Sequence, residues 1–271
     1  MWDYGDAPNT PDDPDYLPLA YPTEVADRGA RHEVDPLFCL GALVDAEPDG
    51  LPDPAAQGDD RLFERNDEDG VWFPSSALPG GRMALIADAS RFGYLDGWVD
   101  FDASGDWAEG EERVFPRSAA LNEGFNWLGV DVPENASPVA TYARFRFSSI
   151  GGLGPEGEAP DGEVEDYALR ICSAFMVWIT TDAFFYRVGE DPAISFYVSD
   201  PANVSLISYK PDGTRRVLWT GIVEAGRHWF PGPADRFPAG LSEGTETIGL
   251  RAMSVNSGCA TWVSTPFRVS R

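Results

Sequence analysis

Beyond residue 70 the chain is built of short runs rich in apolar residues, separated by glycine, proline and acidic turns, and no helical period of useful length interrupts them. Leu95 to Phe101 sets Leu95, Gly97, Val99 and Phe101 against Asp96, Trp98 and Asp100, the alternation of a strand with two different faces. Strands are predicted at Val71-Trp72-Phe73, Arg82 to Ala89, Leu95 to Phe101, Val114-Phe115, Phe125 to Val132, Tyr142 to Ser148 and Val164 to Ile171. Pro36 to Val44 reads as a further short strand feeding an acidic turn. Strands at this spacing form a β-sandwich. Ahead of them, Pro8, Pro11, Pro14, Pro18 and Pro22 exclude regular helix and predict an extended strap pinned by Tyr4, Tyr16, Leu17, Leu19 and Tyr21.

The acidic clusters stop near Ser173, and a second set of strands follows: Phe175 to Thr181, Ala193 to Val198, Asn203 to Tyr209, Arg216 to Trp219, Glu246 to Val255 and Thr261 to Val269. Lys210-Pro211-Asp212-Gly213 is a turn, proline fixing φ and glycine accepting a positive φ. About a hundred residues is the usual size of an immunoglobulin-like sandwich. The expectation is therefore an all-β chain of two sandwiches, residues 1–173 loop-rich and acidic, and residues 174–271 immunoglobulin-like.

The first unit is organised around Asp161 to Ile171. Glu163, Glu165, Tyr167, Leu169 and Ile171 share one parity, so one strand face carries two carboxylates among core-type side chains. Buried carboxylates need a counter-charge. Two readings meet that need: cross-strand pairing with Arg144 or Arg146, or a bound metal. Gly162-Glu163-Val164-Glu165-Asp166-Tyr167 resembles the signature of the GEVED domain of bacterial surface proteins, and other blocks agree with it in order. They are Asp3-Tyr4-Gly5-Asp6-Ala7-Pro8, Gly29-Ala30-Arg31-His32, Leu40-Gly41 with Val44-Asp45-Ala46-Glu47, Gly58-Asp59-Asp60, Asp67-Glu68-Asp69-Gly70-Val71 and Gly97-Trp98-Val99-Asp100-Phe101. The resemblance implies a secreted, acidic, mostly β module, and supplies no catalytic residues. In the second half, Tyr186-Arg187-Val188-Gly189-Glu190, Pro211-Asp212-Gly213 and Gly244-Thr245-Glu246-Thr247-Ile248 resemble a β-sandwich family of unknown function at the ends of bacterial surface proteins.

Charge narrows the partners. With 45 Asp and Glu against 20 Lys and Arg the formal charge is -25, which repels nucleic-acid phosphates and anionic membranes and favours divalent cations. Aromatic content of 13% supports folded cores rather than acidic disorder. No stretch approaches the roughly 20 apolar residues of a membrane span. Met1-Trp2-Asp3-Tyr4 lacks the basic and apolar regions of a secretory signal. Because the resemblance implies export, the expectation is an extracellular or cell-surface protein whose presequence has been removed. Cys39, Cys172 and Cys259 allow one pair and one free thiol, without fixing which.

Asp100 to Glu111 meets the spacing of a twelve-residue calcium loop. Asp100, Asp102 and Ser104 supply oxygens at the first, third and fifth places, Gly105 the sharp turn, Asp106 a backbone carbonyl, and Glu111 the closing carboxylate. Ser104 stands where Asp or Asn is usual, and strands rather than helices flank the loop. Asp45, Glu47 and Asp49 open a similar turn, but Ala56 occupies the closing place, so a second site would borrow from Asp59, Asp60, Asp67 and Asp69, with Glu163 or Glu165 also in reach. Motifs for nucleophilic, metallopeptidase or nucleotide chemistry are lacking, and the two histidines, His32 and His228, read as structural. Trp72, Trp98, Trp107 and Trp127 could form a sugar platform, although strand aromatics ordinarily pack in cores. These features together predict a calcium-stabilised, non-enzymatic structural or adhesive subunit that binds copies of itself or other surface proteins. A carbohydrate-binding module and a carboxylate-dependent hydrolase are the alternatives.

Overall fold

A computed structural model describes residues 1–10, 19–44, 46–58, 68–108, 112–173, 175–188, 190, 192–210, 212–230 and 243–270. The chain is all-β and divides into two compact units, Met1–Cys172 and Ser173–Arg271.

The first unit contains β1 (Trp2–Tyr4), β2 (Asn9–Thr10), β3 (Leu19–Ala20), β4 (Arg31–Glu33), β5 (Val71–Trp72), β6 (Arg82–Ala89), β7 (Gly93–Val99), β8 (Ala119–Leu121), β9 (Gly124–Asp131), β10 (Ala140–Ser148), β11 (Glu158–Ala159) and β12 (Glu163–Arg170). A central sheet of order β12-β10-β7-β8 faces a second sheet, β5-β6-β9. Between them lies the apolar core, with Met83, Leu85 and Ala87 from β6, Leu95 and Val99 from β7, and Ala143, Phe145 and Phe147 from β10. Strand alternation then sends the neighbours of these residues to the opposite face of the central sheet, and that face is also covered. Asp96, Trp98, Arg144 and Arg146 are all buried there.

Its cover is the N-terminal strap with the small sheet β1-β4-β11. Tyr4 and Tyr21 are buried anchors, and Tyr21 packs with Ala7, Trp98 and Trp107. Tyr16 and Leu17 lie outside the described residues. Pro36 to Val44 is not a strand. It is a turn-rich loop touching β6 by one bridge, Leu40 to Ala89, because the N–H groups of Cys39, Leu40 and Ala42 bond side chains while that of Gly41 donates to the Asp88 carbonyl of β6. Val114-Phe115 likewise forms no strand, while the short β4, β8 and β11 carry too few residues to show a period.

The pairing of β10 with β12 decides where the charges go. Phe145 lies opposite Glu165 and Phe147 opposite Glu163, whereas Arg144 lies opposite Asp166 and Arg146 opposite Val164. Opposed residues share a face, so the predicted pairing of Arg144 or Arg146 with Glu163 or Glu165 does not form. It is wrong by one residue of register, and the partner of Arg144 is Asp166. Arg144 Nε and Nη2 donate to the two carboxylate oxygens at 2.7 and 2.6 Å, both residues being fully buried. The remaining donors of Arg144 reach the carbonyls of Pro22 and Pro155, and its guanidinium sits 4.4 Å from the Trp107 ring centre.

The second unit contains β13 (Val177–Thr181), β14 (Phe185–Arg187), β15 (Ile194–Val198), β16 (Ala202–Tyr209), β17 (Arg215–Val223), β18 (Gly226–Phe230), β19 (Gly244–Ser254) and β20 (Ala260–Ser270). Sheets β13-β15-β18 and β14-β20-β19-β16-β17 enclose Phe196, Leu206, Leu250 and Phe267. Reading the strands in order as A, A′, B, C, C′, E, F and G, this is the ABE and A′GFCC′ division of immunoglobulin-like sandwiches. The Lys210 turn closes as expected, with Gly213 at φ 84° and its N–H on the Lys210 carbonyl at 3.0 Å. Pro211 lies outside the described residues.

A buried bidentate pair with one partner removed leaves the other charge uncompensated, so Asp166→Ala should lower stability by about 3–5 kcal/mol in urea unfolding. The double variant Asp166→Ala plus Arg144→Met should recover part of that loss. Equal midpoints for wild type and the single variant would refute the role assigned to this pair.

Candidate functional site

Two carboxylate constructions stand out in the first unit, one at the signature strand and one at the loop after β7. At the signature, Glu163 and Glu165 on the core face of β12 form no ion pair with an arginine among the described residues. They bind the backbone of passing loops. Glu163 Oε1 accepts the Leu40 N–H at 2.6 Å, and Glu165 accepts the Gly70 N–H at 2.8 Å and the Tyr167 hydroxyl at 3.0 Å. That hydroxyl also accepts the Val71 N–H at 3.0 Å. On the opposite face Asp166 accepts the Ala7 N–H at 2.8 Å, while Asp3 reaches back from the strap to accept the Val164 N–H at 2.7 Å. Gly5 lies so close to the buried pair that a Cβ there would sit 2.4 Å from the Asp166 carboxylate. The signature strand thus fastens three segments, the strap, the Leu40 loop and the entry to β5, by bonds from backbone donors to its carboxyl groups.

Glu163 is the strained member. It is fully buried, and its Oε2 has no hydrogen-bond partner. Burial, then the negative charges of Glu165 and Asp3, push its carboxyl well above the ordinary range, against the opposing Leu40 N–H. His32 shows the complementary case. Arg146 Nε donates to His32 Nε2 at 3.0 Å, which leaves His32 Nδ1 to donate to the Asp161 carbonyl at 2.7 Å. Burial and Arg146 hold the imidazole neutral. Both ring nitrogens of His32 are thus engaged within the fold, while His228 stacks on Phe196 and bonds the Glu224 carbonyl.

The second construction is the loop Asp100 to Ala108. Asp100 is fully buried, and accepts Ser104 N–H at 3.1 Å, Gly105 N–H at 3.0 Å and the Tyr21 hydroxyl. Burial raises its carboxyl and these bonds oppose the rise. Asp102 accepts the Ser104 N–H at 2.9 Å, and Asp106 the Ala108 N–H at 2.8 Å. Gly105 takes φ 94°, the left-handed turn the loop pattern assigns to glycine. Ala103 takes φ 61°, a conformation that costs an alanine about 1–2 kcal/mol.

Among the described residues, one acidic group brings its oxygens within 4.8 Å of one another: Asp100, Asp102 and Glu112. Glu112 was missed in sequence. The spacing rule pointed to Glu111, which lies outside the described residues together with Glu109 and Gly110. The missed signal was the register of a bridge, Trp98 to Arg113, that folds Glu112 back beside Asp100; its carbonyl accepts the Val99 N–H at 2.9 Å. Ser104 and Asp106 belong to the loop but not to this group.

The residues proposed for a second site are described only in part. Asp45, Asp59, Asp60 and Asp67 lie outside the described residues. Glu47 accepts the Tyr4 N–H, Asp49 the N–H groups of Val25 and Gly50, and Asp69 that of Ala42. These three hold loops, in the manner of Glu163 and Glu165. The four tryptophans divide: Trp98 and Trp107 are core residues, whereas Trp72 and Trp127 are exposed. Cys39 is a free, buried thiol.

Residues 94–170, from β7 through β12, match the GEVED domain family. The family match therefore contains the signature strand and the Asp100 loop. No curated protein matches the chain. Among solved structures it is similar to the native conformation of alpha-2-macroglobulin from E. coli, at 9% identity and TM-score 0.27 over 74% of this chain and 16% of that one. It is also similar to the fibronectin(III)-like modules of CbhA from Clostridium thermocellum, at 12% identity and TM-score 0.28, over 74% of this chain and 94% of that one. The chain spans about a sixth of the macroglobulin's length.

The raised carboxyl of Glu163 has a testable sign. Its native form holds a proton that the unfolded form releases near pH 4.5, so this group's contribution is complete below that pH and is lost as pH rises toward the native value. Glu163→Gln keeps the acceptor for Leu40 and removes the titration. At pH 8 the variant should be more stable than wild type in urea, because it carries no group that must ionise in the buried site. The gap should close as pH falls to about 4.5. A gap that is absent or independent of pH would refute this reading.

Proposed function

We propose that the chain is a calcium-stabilised, non-enzymatic subunit of a bacterial surface structure, exported from the cell and built into larger assemblies. The observation that carries the reading is the convergence of Asp100, Asp102 and Glu112 within 4.8 Å in a glycine-turned acidic loop. Two oxygens on one Ca²⁺, each at about 2.3–2.6 Å, can be at most about 5 Å apart, so these carboxylates fit a shared ion. Their all-oxygen chemistry suits a hard cation and lacks the nitrogen and sulfur donors of zinc.

A calcium ion there would tie β7 to the segment after the loop, and through Tyr21 would tie both to the strap. Extracellular calcium modules bind at about 0.1–1 mM, so occupancy would follow arrival outside the cell. Assembly is supported by the second unit, where β17 is an end strand of its sheet and exposes Val217 and Ile222. The structural engagement of His32 and His228, and the use of acids as loop anchors, support a scaffold over a hydrolase.

At about 5 mM calcium the first unit should gain about 1–2 kcal/mol, a rise of several degrees in melting temperature relative to chelator. Asp102→Ala, an exposed position, should abolish the gain, and Glu112→Gln should reduce it. Calcium should also increase particle size at high protein concentration. A melting temperature indifferent to calcium would reject the ion, and a monomer at every calcium and protein concentration would reject the assembly.

A further inference from the structure

On the solvent side of the β5-β6-β9 sheet, remote from the Asp100 loop in sequence, lies a cavity of about 540 Å³ lined by Gly41, Ala42, Glu68, Asp69, Trp72, Asp88 and Phe125. That volume lies within the range of small-molecule sites. Register explains its make-up. Trp72 on β5 stands opposite Ile86, and Asp88, two residues along β6 on the same face, stands opposite Phe125 of β9. Trp72 and Phe125 therefore meet diagonally across β6, with ring centres 5.8 Å apart and planes at 58°. The cavity has two aromatic walls at an angle, not one flat floor. Both rings are solvent-accessible, at 42% and 69% exposure, which core packing does not account for.

The walls are joined by carboxylates. Asp69 is held in place by accepting the Ala42 N–H at 2.9 Å. Burial, together with the charge of Asp88, raises its carboxyl, and burial raises Asp88 as well. Among the described residues neither forms an ion pair. Two aromatic rings and two carboxylates with no ion pair among the described residues are complementary to a cation, which draws on the negative ring faces and relieves the repulsion between the acids. A neutral sugar would use the rings and leave the repulsion. A bare ammonium is strongly hydrated and gains little from ring contact, whereas alkyl groups on nitrogen spread the charge over an apolar surface that suits both.

We infer that this cavity binds an alkylated ammonium group carried by a larger molecule, with Trp72 and Phe125 as walls and Asp69 and Asp88 as counter-charges. The same chemistry occurs in choline-type head groups and in methylated lysine side chains. The chain's charge of -25 would steer either toward the surface.

The test titrates the full chain with choline, with trimethyl-lysine and with 3,3-dimethylbutanol, the uncharged isostere of choline, following tryptophan fluorescence and amide NMR shifts. Either cation should saturate and bind at least about tenfold tighter than the isostere. The tighter of the two identifies the source. Trp72→Ala and Asp88→Asn should each weaken binding about tenfold or more without altering the melting curve. Trp127→Ala, exposed on the same sheet but outside the cavity lining, should leave binding unchanged and guards against a nonspecific aromatic effect. Equal affinity for the isostere, or no saturation by about 50 mM cation, would overturn the inference. So would binding of a neutral oligosaccharide such as cellohexaose that survives Asp88→Asn while the cations fail, since it would make this face a sugar platform.

Discussion

The first unit depends on the buried pair of Arg144 and Asp166. A central sheet whose two faces are both covered ordinarily carries apolar residues on both. Here one face is apolar and the other is charged, and the charged face is tolerable because Arg144 is matched in full. Asp166 takes two donors of Arg144, the Pro22 and Pro155 carbonyls take others, and Trp107 lies against the guanidinium. Each partner comes from a different segment, so the arginine is the point at which strap, loop and sheet are brought together. The link reaches further, because Tyr21, one residue before Pro22, packs on Trp107 and bonds Asp100. Signature strand, strap and acidic loop form one continuous network.

This network also explains why a short acidic signature goes with blocks scattered over residues 1–101. Asp3, Ala7, Leu40, Gly70 and Val71 each give or receive one bond at β12 or its tyrosine. Gly5 is small because the ion pair lies against it. Loops held by single backbone bonds to carboxylates need little apolar burial of their own, and this allows so much of the unit to be irregular without losing definition.

Much of the architecture was legible because strand alternation survives in β6, β7, β9, β10 and β12, all long enough to show a period. The same parity correctly put Glu163 and Glu165 on the core face. What it could not supply was register. Parity along β10 and along β12 is compatible with two pairings that differ by one residue, and the pairing formed sends Arg144 to Asp166. The acidic loop was legible as a turn with oxygens at fixed spacing, yet Glu112 was not, since a counting rule taken from a helix-flanked loop does not describe one closed by a bridge between Trp98 and Arg113. The edge strand β14 and the short β18 were hidden for another reason. Exposed strands bury alternate residues weakly, as Trp229 at 63% exposure illustrates, and their pattern is correspondingly faint.

The many acids of this unit have a common logic. A carboxylate can meet a backbone N–H, an arginine or a cation, and the first option is available to any loop that passes close enough. Glu47, Asp49, Asp69, Glu163 and Glu165 take it. Such sites spread the negative charge and leave each carboxylate held by donors of its own. Asp100, Asp102 and Glu112 are different in kind: their carboxylate oxygens converge on one place, beside the tyrosine that anchors the strap. An ion bound at this place would therefore act on the strap, which Tyr21 joins both to Asp100 and to the apolar cluster of Ala7, Trp98 and Trp107.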